Sequence, residues 1–269
     1  MGGIPSKTFN PVGDLPSLAG KVVIMTGSRL NEEGREPSLG EVIWHELGLI
    51  DPRSAKDSAE RFIARETKLD ILVNNAALIP AFGNVQAPNA DGIDETMAIS
   101  YLGPYIFTNS LLPLLESTAS LDGTDVRIIN VGSGGYRYAK NLEYDSKEAW
   151  NHSFKWYLLP SLQRYEYTKL ALHLWTNNLA RRLSEKQSKV LVMIAQPALS
   201  GWHYPSTLLP PVSPVLDLLP RRKDNPEIFQ GAYIYPPNIA VPQEPIALDE
   251  DKQRKLVDFT EEFLQSVVV

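Results

Sequence analysis

The residues best suited to chemistry lie in the stretch YEYTK, where Tyr165 and Lys169 stand four apart. On a helix, that spacing puts both side chains on one face. A phenol has an ordinary pKa of about 10 and exchanges protons poorly near neutrality. A nearby ammonium favours the phenolate. A shift of about three pKa units corresponds to ~4 kcal/mol, which requires a close and partly desolvated cation. Ser133 ends an apolar run and could hydrogen-bond a carbonyl or alcohol oxygen. The three together could protonate a carbonyl oxygen or take the proton of an alcohol. Read alone, the Tyr–Lys pair is first of all the pattern of an ordinary surface helix. Tyr167, two positions on, points elsewhere.

These residues need a scaffold, and the hydrophobic pattern supplies one. Apolar runs at 21–27, 42–49, 69–77, 125–133 and 189–197 read as buried strands, and GAYIYPP as a short last strand. Between them, 53–67, 92–116 (with a bend near Pro104), 160–185 and 249–267 carry helical spacing. Continuous apolar strands alternating with helices predict an α/β fold whose parallel sheet is covered on both faces. Residues 1–20 read as an N-terminal arm, and 21–269 as a single domain with an irregular Pro-rich stretch at 200–226. Ligands of such sheets sit beyond the C-terminal ends of the strands. The places to look are therefore Thr26-Gly27, Asn74-Asn75, Ser133 and Pro197.

Composition narrows the class. The chain has 269 residues, a formal charge of -6 and a pI near 5.3, which argues against nucleic acid as a partner. With no cysteine, disulfides, thiolate catalysis and zinc–thiolate sites are excluded. No apolar stretch reaches the ~18 residues of a membrane helix, and the N-terminus lacks a secretory pattern, so a cytoplasmic protein is expected. Gly2 and Ser6 fit a loose acylation pattern. Asn151-His152-Ser153 spells a glycosylation sequon but reads as an ordinary loop. His45, His152, His173 and His203 have no partners at metal-ligand spacing, so no metal is expected. Seven aromatics fall within 136–157: Tyr136, Tyr138, Tyr144, Trp150, Phe154, Trp156 and Tyr157. They suit either a pocket for an apolar substrate or a loop packed over the sheet.

Taken in order, the motifs resemble the short-chain dehydrogenase/reductase family. TG follows the first strand, NNAA a central strand, and SYLGPYIFTNSLLPLL the next helix; then come IINVGS, YEYTK and QPALS. The 32 residues from Ser133 to Tyr165, and the C-terminal GAYIYPPN with DEDKQRKLVDFTEEFL, are similar to a subgroup. It contains retinol dehydrogenases and the WW-domain-containing oxidoreductase, in versions common among fungal proteins. The resemblance implies a Rossmann-like doubly wound parallel sheet. It implies hydride transfer between an alcohol and a carbonyl on a small apolar substrate, with NADP or NAD as cofactor and NADP placed first. Tyr165 would be the acid/base, Ser133 would polarise the substrate oxygen, and Lys169 would hold the nicotinamide ribose and lower the tyrosine pKa. Thr26, Gly27, Asn74, Asn75 and Ala76 would lie along the cofactor, with Pro197 bordering the nicotinamide. A homodimer through the helices at 92–116 and 160–185 is a further implication.

Four departures stand beside that resemblance. The family's later glycines would fall at Asn31 and Glu33, and Gly34 comes one place late. Only residues 28–41 separate Gly27 from the run at 42–49. Either VIWHE is the second strand, with Glu46 as the ribose-binding acid, or WHELGLIDP is the third strand, with Gly48 where the family has its adenine-contacting Asp. The second alternative predicts that one early strand and its helices are missing. Ser100 replaces the family's usual Asn, and Ala198 stands where Gly follows Pro; the 200–226 segment is also short. A truncated variant, or misjoined coding segments, would give this pattern. The alternative to an enzyme is a non-catalytic homologue with impaired cofactor binding, acting as a protein-interaction scaffold.

Overall fold

The computed structural model describes residues 18–27, 41–79, 87–196, 228–235 and 239–267. They form a six-stranded sheet: β1 (Val23–Met25), β2 (Ile71–Asn74), β3 (Arg127–Val131), β4 (Leu191–Ala195), β5 (Tyr233–Tyr235) and β6 (Ile239–Val241). The strands lie side by side in chain order. The first five are parallel, with Val23 opposite Ile71, Ile71 opposite Arg127, and Arg127 opposite Leu191. β6 returns antiparallel along β5.

Helix α1 (Pro52–Ile63) starts where Asp51 accepts from the Arg53 amide at 2.9 Å and Pro52 occupies the first turn. Its buried residues Pro52, Ala55, Ser58, Ala59 and Phe62 recur at helical spacing on one face. The single helix expected over 92–116 is three pieces: α2 (Glu95–Met97), a π-helical turn at Ala98–Leu102, and α3 (Gly103–Ser120). The π turn ends just before Pro104, near which the sequence predicts a bend. A four-residue α4 (Lys147–Trp150) precedes α5 (Pro160–Glu185), the long helix, which has the bounds its sequence predicts. After the short α6 (Pro245–Leu248), Asp249 caps α7 (Glu250–Ser266) by accepting from the Lys252 amide at 3.0 Å.

The larger core cluster joins one sheet face, through Leu72, Ile128, Val192 and Ile194, to residues of α1, α3, α5 and α7. The opposite face gathers Ile71, Val73, Ile129, Val131, Leu191, Met193, Ala195 and Ile234 with Leu18, Met25, Phe229 and Ala232, and draws on no described helix. Alternate residues of each strand thus serve two different layers.

The run at 42–49 is not a strand. It is irregular chain, bonded to the helical layer through His45 and Glu46. His45 Nε2 lies 2.9 Å from the Ser58 carbonyl and 3.0 Å from its hydroxyl, and Ser58 Oγ donates to the Glu46 carbonyl at 2.7 Å. Leu49 packs so closely on the start of α3 that a Cβ added to Gly103 would lie 2.9 Å from the Leu49 Cβ. Both sequence alternatives for this run assumed a strand. Leu47 and Leu49 pack on the helical layer while Val42, Ile43 and Trp44 are exposed, and the helix expected after the run is α1.

Candidate active site

The C-terminal ends of β1, β2 and β3 form one rim, closed on the side by α5. Thr26 staples the first two strands. Its amide donates to the Val73 carbonyl at 3.0 Å, and its hydroxyl accepts from the amides of Asn75 and Ala76 at 3.1 and 3.0 Å. The Asn75 side chain donates back to the Thr26 carbonyl at 3.0 Å. Gly27 follows with φ +73, and a Cβ there would sit 2.7 Å from the Ala76 Cα. Both the backbone angle and the close approach therefore require glycine.

Beneath the rim, a polar ladder runs through the apolar sheet. Asn74 Nδ2 donates to Thr108 Oγ1 and to Asn130 Oδ1, both at 2.8 Å, and Asn130 Nδ2 donates to Thr176 Oγ1 at 2.8 Å. Asn74 and Asn130 face each other in register across β2 and β3. The Asn74 Oδ1 is buried and unpartnered. Asn130, Thr108 and Thr176 were missed in the sequence; a lone Asn inside the apolar run RIINV was the available signal. Ser100, inside the π turn, accepts from the Leu78 amide at 3.0 Å and ties the strand-end chain to the helix.

Ser133 follows β3 in an extended conformation and caps the 3-10 turn Gly134–Tyr138, accepting from the Gly135 amide at 3.2 Å. Its hydroxyl lies near the half-buried phenol of Tyr165. Burial raises the Tyr165 pKa above its ordinary value, and the Ser133 hydroxyl works in the other direction. Lys169 is buried, with its ammonium 5.7 Å from the centre of the Tyr165 ring, and donates to the Val131 carbonyl at 2.6 Å. Burial pushes its pKa down to about 8. Serine, tyrosine and lysine are thus gathered at one place. Thr26, Gly27, Asn74, Asn75 and Ala76 form the adjoining strand ends. Pro197 lies outside the described residues, as do Asn31, Glu33, Gly34 and Ala198.

The aromatic loop divides in two. Tyr136, Tyr144, Trp150 and Phe154 are buried. Tyr144 stacks on Tyr167 at 4.3 Å, and the Trp150 indole donates to the Tyr144 carbonyl at 3.0 Å. Tyr136, Tyr144 and Phe154 pack on α5, and Trp150 on Tyr101, Phe259 and Phe263, so the apolar-pocket reading does not apply to these four. Tyr138 and Trp156 are exposed, with Leu158 beside them. The Asn151 side chain bonds the Gly92 carbonyl and the Asp94 amide, both at 2.8 Å, as a structural loop residue does.

The residues present fit the nicotinamide end of a dinucleotide. Asn74 offers an unused buried acceptor, and the Lys169 ammonium has donors to spare.

Strand ends that carry Thr-Gly, Asn-Asn and a Ser–Tyr–Lys group define an α/β domain of the Rossmann-like class. Known proteins narrow this further. Residues 23–154 match the family model for short chain dehydrogenases. A short-chain dehydrogenase/reductase of Armillaria gallica is 45% identical over 170 residues, covering 63% of this chain and 52% of the relative. Human retinol dehydrogenase 14 is 32% identical over 198 residues, covering 70% of this chain and 52% of that protein. An uncharacterized protein of Mycobacterium paratuberculosis shares the fold, with a TM-score of 0.59 at 20% identity over 81% of this chain and 74% of that one. The chain belongs to the short-chain dehydrogenase family and resembles the retinol dehydrogenases within it. It spans about half of the Armillaria and human relatives' length, 52% of each. No helix among the described residues is long and apolar enough to cross a membrane.

Proposed function

We propose that the chain is an oxidoreductase that uses NADP or NAD to interconvert an alcohol and a carbonyl on a small apolar substrate. The observation that carries this reading is the grouping of Ser133, Tyr165 and Lys169 at the end of β3, with the Ser133 hydroxyl near the Tyr165 phenol and the ammonium near its ring. The nicotinamide, when bound, supplies or accepts the hydride. Thr26, Gly27, Asn75 and Ala76 would border it, and Lys169 would reach its ribose.

In the reduction direction, Tyr165 gives its proton to the carbonyl oxygen as the alcohol forms. Ser133 donates a hydrogen bond to that oxygen and holds it against the phenol. Lys169 supports the phenolate left behind, because a positive charge a few ångströms away lowers the cost of the negative one. In oxidation the same groups act in reverse, with Tyr165 taking the alcohol proton.

The test is Tyr165→Phe, with turnover and NAD(P)H binding measured together. Turnover is expected to vanish while binding persists; retained turnover would show that another group is the acid. The second reading, a non-catalytic scaffold, is favoured by one observation: the run at 42–49 forms no strand beside β1. Absence of NADPH and NADH binding at millimolar concentration would support it and remove the enzyme.

A further inference from the structure

Tyr165 stands in the second turn of α5, and the first turn is weakly held. Leu159, at the N-cap, offers no side-chain acceptor to the free amides. Leu158, Leu159 and Leu162 are exposed, so little apolar packing fixes the helix start. Helix ends of this kind are where a fold opens first. An acid that must meet a substrate oxygen needs its place fixed to about half an ångström.

Arg164, the residue before the phenol, supplies an anchor. Its side chain is buried, and its Nε lies 3.2 Å from Asp94 Oδ2. Nη2 of the same guanidinium donates to the carbonyls of His152 and Ser153, each at 3.4 Å. Asp94, also buried, divides its carboxylate. Oδ2 faces the arginine, and Oδ1 caps α2 by accepting from the amides of Thr96 and Met97 at 2.9 and 3.4 Å. α2 runs on into the π turn, whose Ser100 holds the Leu78 amide beyond β2. One guanidinium therefore ties the helix of the phenol to the helix behind the β2 strand end and to the loop between Ser133 and Tyr165. The loop end of this tie is strained. Phe154 has φ 52, in the left-handed region that a bulky side chain rarely enters. Its ring is buried 5.6 Å from that of Tyr167 on α5. Such strain persists only where the surroundings over-determine it, and the two carbonyls held by Arg164 belong to the two residues just before Phe154.

We propose that Arg164 is a positioning residue for Tyr165: its pairing with Asp94 and with the loop sets where the phenol stands relative to Ser133. The inference rests on the proposed function, in which Tyr165 is the acid, and adds a residue that acts through its neighbour. A buried ion pair contributes little net stability against apolar side chains of the same shape. What the pair adds here is fixed geometry, and the planar fork that reaches a carboxylate and two carbonyls at once is beyond a lysine.

The experiment compares the whole chain with a double variant, Arg164→Met with Asp94→Asn, and with Arg164→Lys, and runs Tyr165→Phe beside them. The double variant leaves no lone buried charge, and asparagine caps a helix as well as aspartate does. Arg164→Lys keeps the charge and loses the fork. Hexanal, decanal and benzaldehyde are the probes, with NADPH and NADH; kcat, KM, coenzyme affinity and melting temperature are read together. The double variant is expected to fold and to lose about tenfold to a hundredfold in kcat, as a misplaced acid does. Its KM and coenzyme affinity are expected to stay within about threefold of wild type. Arg164→Lys is expected to fold and to remain about threefold or more below wild type in kcat. A wild-type kcat in the folded double variant, with Tyr165→Phe inactive, would overturn the inference and leave the proposed function standing. If the double variant does not fold, Arg164→Lys decides: the loss in kcat supports the inference and a wild-type kcat overturns it. Turnover retained by Tyr165→Phe, or no turnover of any probe by the wild type, would overturn the proposed function and this inference with it.

Discussion

The imidazole of His173 lies directly under Gly132. A methyl group on that glycine would come within 2.8 Å of Nε2, and within 2.6 Å of the Ile194 side chain. One helical turn earlier, Lys169 holds the Val131 carbonyl. Two residues of α5 thus grip the two strand-end residues that precede Ser133. Gly132→Ala is expected to force this end of β3 away from the helix. Overpacking of this kind costs typically 1–3 kcal/mol, to be read from denaturant unfolding. Turnover should fall more than stability does, because Ser133 moves with the strand. Wild-type stability in the variant would mean the contact yields easily.

His173 also predicts a pH dependence. Gln243 Nε2 donates to the Asn177 side chain and to the Gly231 carbonyl, so its Oε1 faces His173 and the imidazole proton sits on Nδ1 at 3.0 Å. The ring stacks on Tyr136 at 3.9 Å, and Nε2 is buried without a partner. Burial, with Lys169 and Arg137 nearby, pushes the pKa down to about 3. The unfolded chain takes up this proton near pH 6.5 and the folded one does not, so stability is lost as pH falls from about 6.5 towards 3. The slope from this one group approaches ~1.4 kcal/mol per pH unit. His173→Phe, which can keep the stack, should flatten the stability profile between pH 6 and 4 by that amount. An unchanged slope would show that His173 is already charged in the fold.

Much of the scaffold can be read from the chain alone, and the failures have identifiable causes. Helix α5 is legible to the residue because Pro160 opens it and its period runs unbroken. β2, β3 and β4 are legible because both their faces are buried, which demands continuous apolar sequence. The run at 42–49 misleads for the same reason. An apolar run does not reveal whether a sheet or a pair of helices will cover it, and here contacts to Ser58 and Gly103, distant in sequence, decide. Within the site, Ser133, Tyr165 and Lys169 are found by residue type and spacing. His173 and Gly132 are not, since a histidine inside an amphipathic helix and a glycine after a strand each have many ordinary uses. Their pairing exists only after α5 docks on β3.

Lys169 sets up a conflict between stability and activity. Its ammonium is buried with the Val131 carbonyl as acceptor, and its pKa is down to about 8. A shift from the ordinary 10.5 corresponds to roughly 3 kcal/mol against the charged form at neutral pH. The sign follows from proton binding. Between about 8 and 10.5 the unfolded chain holds this proton and the folded chain does not, so this group's contribution to stability rises with pH over that window. Lys169→Met keeps the stem and removes the charge. It is expected to be as stable as the wild type at pH 7, or more stable by about 1–3 kcal/mol, while losing turnover. In the wild type, turnover in the reduction direction should decline above pH 8 as the ammonium discharges. A marked drop in the melting temperature of Lys169→Met would show that the ammonium is a net structural asset.

Thr26 offers the cleanest separation of a hydroxyl from its methyl group. Its Oγ1 is the acceptor for two successive amides, those of Asn75 and Ala76, and its side chain is buried at the junction of β1 and β2. Thr26→Val preserves shape and leaves the Ala76 amide without its partner, while the Asn75 amide keeps the Val73 carbonyl at 3.1 Å. An unsatisfied donor costs about 1–3 kcal/mol, so a loss within that range is expected in denaturant unfolding. Thr26→Ser retains the oxygen and should lose well under half as much. Nicotinamide binding should follow the same order, because the Asn75–Ala76 chain proposed to border the cofactor is set by these bonds. If valine and serine variants were equally stable, the hydroxyl would not be the staple, and β1 would be held to β2 by its ladder and packing alone.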